Sequence, residues 1–453
     1  MARKKENLTS AERLEEALVP DWEQPYKVPE NWCWTRIAKL CSLSNGKAFK
    51  PTDWTKTGIP IVRIQNLNNP EAQYNLYSGA VEDKFRLCGG ELLFAWSGTP
   101  GTSFGAHIWW GKEAVLNQHI FRVDFDEKYI NKIYFKYAIN QQLDMLISVA
   151  HGGAGLQHVT KGVFEATPIP LPPFAEQQRI VDRIENLFAK LDEAKQKAQD
   201  ALDSFETRKA AILHKAFTGE LTAQWRKEHG VGMESWENVS VSEICHSLKY
   251  GTAKKSSTEG TVVVIRMGNL QDGEISWDDL AYSNDEEDIE KYKLVPGDVL
   301  FNRTNSPALV GKTSIYRGEY PAIYAGYLIK LDYDHSRVIG DYLNYSLNTV
   351  SAKEYCNSVK TDGVNQSNIN AKKIGAYRFD MPKINEQSEI VRILDDLLAK
   401  ERQAKEAAEG VLEQIDLIKK AILARAFRGE LGTNDPSEES AVELVKRIAE
   451  RGE

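Results

Sequence analysis

Arginine, asparagine and lysine recur at matching places in the two halves of this 453-residue chain. The first half carries Lys47 and Lys50 within Asn45–Lys50, then Arg63 and Asn66, then Ser97 in Ser97-Gly-Thr99. The second carries Lys249 and Lys254, then Arg266 and Asn269, then Arg303 and Thr304, with Lys312 further on. Arginine suits the paired acceptors of a guanine edge, asparagine the donor–acceptor pair of adenine, and lysine a phosphate. Any one of these is ordinarily a solvated loop side chain. As a set repeated in both halves, they are candidate nucleic-acid contacts.

Catalytic chemistry finds no such support. Val310-Gly-Lys-Thr313 resembles the end of a phosphate loop, but Ser306 stands where its first glycine belongs and a strand is expected next. Gly152-Gly-Ala-Gly155 has no strand before it and no helix after it, so a dinucleotide site is not expected. Leu171-Pro-Pro-Phe174 lacks the polar first residue of an amino-methyltransferase loop and reads as a helix start. The eight histidines show no metal-ligand spacing, and Cys245-His246 are adjacent, which does not suit joint ligation. The five cysteines are odd in number and none stands in Cys-x-x-Cys spacing, so neither a disulfide framework nor a zinc ribbon is expected. We therefore expect no catalytic residue, no metal and no cofactor on this chain.

The elements that position these loops follow from an internal repeat. Leu171–Val181 aligns with Met381–Val391 at an offset of 210, placing Glu176-Gln177 on Glu386-Gln387, Ile180 on Ile390 and Leu187 on Leu397. The offset persists from Lys209–Leu221 to Lys419–Leu431, where Ala-Phe-x-Gly-Glu-Leu recurs and Phe217 falls on Phe427. A constant spacing over about 50 residues implies a rigid rod. No Gly or Pro lies between Phe174 and Lys215, and apolar residues step by four and three, the pattern of a coiled-coil seam. A helix of about 40 residues spans roughly 60 Å. Gly219 and Gly429 read as helix stops, and Gly410 should weaken the second rod locally. Each rod needs a partner for its seam. The two can pair antiparallel, or each can pack on its own globular block.

The blocks before the rods match only in plan. Strand-like runs include Ile59–Ile64, Glu91–Trp96, Thr261–Ile265 and Asp298–Phe301, and helical aromatic segments surround Tyr134 and Tyr342. The expected fold is mixed α/β, built around a small, strongly bent sheet in each block. Two globular domains alternate with two long helices that pair as an antiparallel coiled coil in a pseudo-two-fold repeat. The expected boundaries are an N-terminal extension over 1–27 with a helix near Ser10–Leu18, a first domain over 28–170, and a helical region over 171–231. A second domain over 232–380, a second helical region over 381–431 and a tail with a short helix over 432–453 follow.

Composition sets the outer limits. No apolar run approaches the length of a membrane span, and the N-terminus has no signal-peptide pattern, so a reducing cytoplasm is expected. The net charge is −8, acidic for a lone DNA-binding protein. Residues 30–170 nevertheless hold 14 basic and 12 acidic side chains. Residues 235–380 hold 16 and 20, with seven of the acids in Asp278–Glu290, read as a solvent-facing loop. A reader this weakly charged needs other subunits to supply phosphate contacts.

The doubled Glu-Gln opening and Ala-Phe-x-Gly-Glu-Leu close, with Pro172-Pro-Phe-Ala-Glu-Gln177 and Ile212–Arg226 in full, resemble the specificity (S) subunit of type I restriction–modification enzymes. The resemblance runs from about Val28 to the C-terminus. It implies two target recognition domains that each read half of a split DNA site, and helices that set the gap and dock two methyltransferase (M) subunits. Docking would then involve Glu176, Gln177, Ile180, Leu187 and Phe217, and Glu386, Gln387, Ile390, Leu397 and Phe427. It further implies S-adenosylmethionine and adenine methylation on the M subunits, and ATP and Mg on two restriction (R) subunits that cleave unmodified DNA. The role of the N-terminal extension stays open, contact with an M subunit being one option. Two other readings stay open: a subunit of a methylation-only or other phage-defence complex, and a coiled-coil adaptor that binds protein.

Overall fold

Both repeats begin by tying the start of a long helix to a short two-stranded ribbon. A computed structural model describes residues 9–69, 71–98, 104–153 and 156–450. Residues 1–196 with 411–453 form one compact unit, and residues 197–410 form the other. In the first unit Cys33–Arg36 pairs antiparallel with Pro168–Leu171, and in the second Glu237–Ser240 pairs antiparallel with Arg378–Met381. The prolines that follow each ribbon end the strand, and helices Phe174–Asp203 and Ile384–Ala426 start at once.

The Glu-Gln pair at each helix start is buried and fully engaged. Glu176 accepts hydrogen bonds from Trp32 Nε1 (2.7 Å), Thr433 Oγ1 (3.1 Å) and Asn434 Nδ2 (2.9 Å). Glu386 accepts from Trp236 Nε1 (3.0 Å), Thr222 Oγ1 (2.7 Å) and Arg226 Nη1 (2.6 Å). The glutamines do the same work on the backbone. Gln177 accepts from Asn131 N and donates to Tyr129 and Pro172 carbonyls, while Gln387 accepts from Ile339 N and donates to Arg337 and Pro382 carbonyls. Ile180 and Ile390 are fully buried on the domain cores, each burial stabilising by about 1.5–3 kcal/mol. The rings of Phe427 and Tyr134, and of Phe217 and Tyr342, pack at a tilt with centroids 5.4 and 5.1 Å apart. Gly429 and Gly219 then turn the chain with φ of 74° and 79°, conformations open to glycine at little cost.

Within each unit the long-helix segments run antiparallel. In the first, Asp192 meets Lys419 (2.5 Å), while Arg179 reaches Thr433 and forms a two-pronged pair with Glu438. In the second, Arg208 meets Glu401 (2.8 Å) and Lys405 lies over Phe205. The first rod is not one helix as expected. It breaks at Ser204, whose hydroxyl bonds back to the Asp200 carbonyl (2.8 Å), and resumes at Phe205–Phe217. Conversely, Ile384–Ala426 runs unbroken through Gly410. The two pairing options of the sequence therefore coexist: helix starts pack on their own domains, and the segments beyond pair with each other.

The single bent sheet expected in each block is instead several small sheets. Among the described residues the first unit has two four-stranded sheets, a three-stranded one and the ribbon, and the second has a six-stranded sheet, two three-stranded ones and the ribbon. Fully buried Phe94, Phe135 and Phe164 fill the first core, and Phe301, Tyr342 and Leu343 the second. The N-terminal extension packs on its own domain. Helix Ser10–Ala17 is capped by Thr9 and Glu12, Val19 N donates to Trp34 O, and Thr35 donates to Ala17 O. It meets the tail helix Ala441–Glu450, whose Ala441, Leu444 and Val445 are buried.

The two anchors differ in one respect: Glu386 is hydrogen-bonded to a buried cation, whereas the three donors to Glu176 are neutral and Arg179 acts on it only through space. Glu386→Gln leaves Arg226 buried without its counter-charge, and should cost about 3–5 kcal/mol. Glu176→Gln should cost about 1–3 kcal/mol. Urea unfolding of both variants checks the order; equal losses would refute it.

Candidate nucleic-acid interface

Each domain builds its candidate loops on the same backbone turn. Strand Ile59–Val62 runs parallel to Ala114–Leu116, and Val262–Ile265 runs parallel to Ala322–Tyr324. Arg63 and Arg266 follow directly. Asn66 accepts from Arg63 N (3.1 Å) and donates to Ala72 O; Asn269 accepts from Arg266 N (2.9 Å) and donates to Ser276 and Asp278 carbonyls. Both asparagines are buried. They hold the turn and present nothing to a base, which corrects the expectation of direct contact. Gly46 and Gly251 lie against the neighbouring strand, where a Cβ would come within 2.1 Å of Asn117 O and 2.2 Å of Tyr324 O. Only glycine lets these segments approach the arginine turn.

In the first domain Lys47 donates to the Tyr77 hydroxyl (2.8 Å) and lies over its ring, and Arg63 lies over Trp54 at 5.8 Å. Lys50 is exposed at the head of a short 3-10 turn. Ser97 is buried, its strand Ser97–Gly98 pairing with Leu156–His158; Thr99 of that run, and Ala154 and Gly155, lie outside the described residues. The sequence reading missed Trp96, His119 and His158. The Trp96 ring lies 5.3 Å from His119 and 5.7 Å from His158. Burial, then the nearby His158 and Arg63, hold the His119 pKa below the ordinary value. Isolated histidines without mutual spacing leave no mark in a sequence that could have signalled this group.

In the second domain the acidic run is not simply solvent-facing. Asp279 pairs with Arg266 (3.0 Å), and Asp285 (2.8 Å) and Asp288 (3.4 Å) pair with Lys254, whose pKa they raise. Lys249 pairs with Asp332 and Lys312 with Gln271. Arg303 lies over Tyr250 at 4.8 Å and donates to Gly326 O, and Thr304 accepts from Asn368. Arg266, Asn305 and Lys312 line one cleft of about 630 Å³; Arg303 and Lys254 lie outside its lining.

The residues expected to dock subunits take part in packing within each unit. Glu176, Gln177, Ile180, Glu386, Gln387, Ile390 and Phe427 are buried, and Leu187, Phe217 and Leu397 half-buried. Glu176, Gln177, Glu386 and Gln387 form the helix-start anchors described above. Val411, Leu417 and Ile418, in the C-terminal half of helix Ile384–Ala426, are exposed apolar side chains.

Among the described residues no three His, Cys, Asp or Glu side chains converge as a metal site, and no helix is long and apolar enough to cross a membrane. Burial pushes the Cys33, Cys41 and Cys245 thiols up to about 12, which leaves them protonated and unreactive at neutral pH.

The profile described as "Type I restriction modification DNA specificity domain" matches residues 29–202 and 233–410. The chain belongs to this family. It is 24% identical to the EcoBI specificity subunit of Escherichia coli over 98% of this chain and 97% of that one. It is 25% identical to the EcoKI specificity subunit of E. coli strain K12, over 94% and 96%. The HsdS subunit structure from Thermoanaerobacter tengcongensis shares the fold with a TM-score of 0.62 at 19% identity, over 90% of this chain and 99% of that one. Two repeated domains and long helices thus belong to a type I specificity subunit.

Since the folded pKa of His119 lies below the unfolded value near 6.5, the unfolded chain binds the proton more readily. Stability then falls as pH drops below about 7 and levels off below the folded pKa. Thermal melts at pH 7.5 and 5.5 should show a smaller difference for His119→Gln than for the native chain.

Proposed function

We propose that each domain reads one half of a bipartite DNA target, and that the long helices fix the gap between the halves. The observation that carries this is the recurrence of one strand–arginine–asparagine turn, once per domain, with different side chains around it. Two M subunits dock on the chain, bind S-adenosylmethionine and methylate adenine N6 in the target. Two R subunits, using ATP and Mg, cleave DNA that lacks the mark. This chain supplies the address and no chemistry, in the cytoplasm where the DNA lies. Its acidic balance and paired cations support a division of labour in which M subunits supply most phosphate contacts.

A long-read map of N6-methyladenine, with and without the gene, tests the reading. One split motif, two short words around a fixed gap, should disappear with the gene. An unchanged map in cells that express the M subunit would refute it and favour a protein-binding adaptor. Arg303→Ala should weaken target binding by about 1–3 kcal/mol and relax the choice at one position of one word. A loss uniform over all sequences would make Arg303 a phosphate contact.

A further inference from the structure

The two arginines that open the matched turns, Arg266 and Arg63, are each held by a side chain from a neighbouring loop. In the second domain Arg266 Nη2 donates to both the backbone carbonyl and the carboxylate of Asp279. The loop bearing Asp279 is itself fixed to the arginine turn. Asn269 donates to Ser276 and Asp278 carbonyls, and Ser276 N donates to Asn269 O (2.7 Å). Asp279 adopts a left-handed φ of 50°, which aspartate and asparagine tolerate better than other side chains. Its carboxylate is almost fully exposed, so the ion pair adds little to stability. Arg266 Nε is buried without a partner among the described residues, and the side chain borders the cleft of about 630 Å³ with Lys312 and Asn305. In the first domain Arg63 lies over the Trp54 ring, and both border a cleft of about 210 Å³ with Gln118 and His119.

We infer that Asp279 and Trp54 are positioning residues for base reading: each fixes an arginine so that its unengaged edge meets one base of the half-site. This rests on the recognition reading above. A free arginine has many rotamers and settles on any phosphate. A clamped one has already lost that freedom, so a correctly placed guanine edge is met without further ordering. Asp279 engages only Nη2 of the Arg266 guanidinium, through its carbonyl and its carboxylate, and the indole covers the face of Arg63, so neither occupies the whole fork.

The test uses the full chain assembled with its methyltransferase subunits. The probes are a duplex selected from random sequence by the native complex and the same duplex with the second-domain word scrambled. Asp279→Asn keeps the left-handed turn and removes the charge. It should weaken binding to the selected duplex by about three- to tenfold and leave the scrambled duplex unchanged. It should also relax the same base position as Arg266→Ala, and add nothing in the Arg266→Ala background. Trp54→Leu should do the same at the first word alone. Glu290→Gln, which removes an exposed charge of the same acidic run outside the cleft and without touching Arg266, separates orientation from bulk electrostatics and should leave both affinities as they are. Tighter binding by Asp279→Asn would make the aspartate a competitor for the arginine, and equal losses on both duplexes would make it structural. Either result overturns the inference, as does native behaviour. A native complex that selects no sequence at all would instead overturn the recognition reading.

Discussion

A buried carboxylate at the start of each long helix is the contact on which the rest of each domain depends. Glu176 joins the strand-leading Trp32 to the Thr433-Asn434 turn, and Glu386 joins Trp236 to Thr222 and Arg226. Each thereby fastens three segments that are remote in sequence: the start of the globular domain, the start of one helix and the chain just past the end of the other. A charge taken out of water is tolerable only when its lone pairs are met. The three donors must therefore be in place before the glutamate is buried, which makes the angle at which each helix leaves its domain a fixed quantity. The adjacent glutamine repeats the argument without charge, closing backbone groups on both sides of the ribbon turn.

That constraint explains why the repeat is strict in the rods and loose in the blocks. Moving a rod residue would misplace Phe217 or Phe427, Gly219 or Gly429, and the donors to the carboxylate together. The domains answer to a weaker demand: a parallel strand pair must end in a turn, and a glycine must let a second segment close on it. Asn66 and Asn269 fix the backbone of that turn while the side chains around it change freely. One domain surrounds its arginine with Trp54, His119 and Gln118, and the other with Asp279, Lys312 and Asn305. On the proposed reading, separate holding and reading residues would allow one scaffold to carry different specificities.

What was legible in the sequence divides along the same line. Constant spacing, apolar stepping and Gly219 and Gly429 carry the helices and their ends, because those signals are local. The Ser204 break was hidden because a serine closes its own turn with its hydroxyl, a choice that helix propensity does not settle. The Glu-Gln pairs stood out as repeated polar residues and were assigned to partner docking. Their burial depends on Trp32, Trp236 and the post-helix turns, which are distant in sequence. Arg63 and Arg266 were visible by type and position, but Asn66 and Asn269 were not separable from them as holders. The acidic run read as solvated because nothing in its order tells that Asp279 and Asp285 reach back to Arg266 and Lys254.

The distribution of these pairs bears on how an acidic chain can read DNA. Long-range attraction to phosphate needs unpaired cations, and the second domain has bound most of its candidates to carboxylates or an amide. An ion pair at the surface is worth little in itself, but it removes one unit of positive field at the distance of a phosphate. Affinity that would be indifferent to sequence is thereby reduced, and what remains depends on close geometry at the turns. On the proposed reading, non-specific attraction is left to partner subunits that grip the backbone. Held arginines and a weak overall field would then serve one demand: the chain must discriminate between sequences before it adheres to any of them.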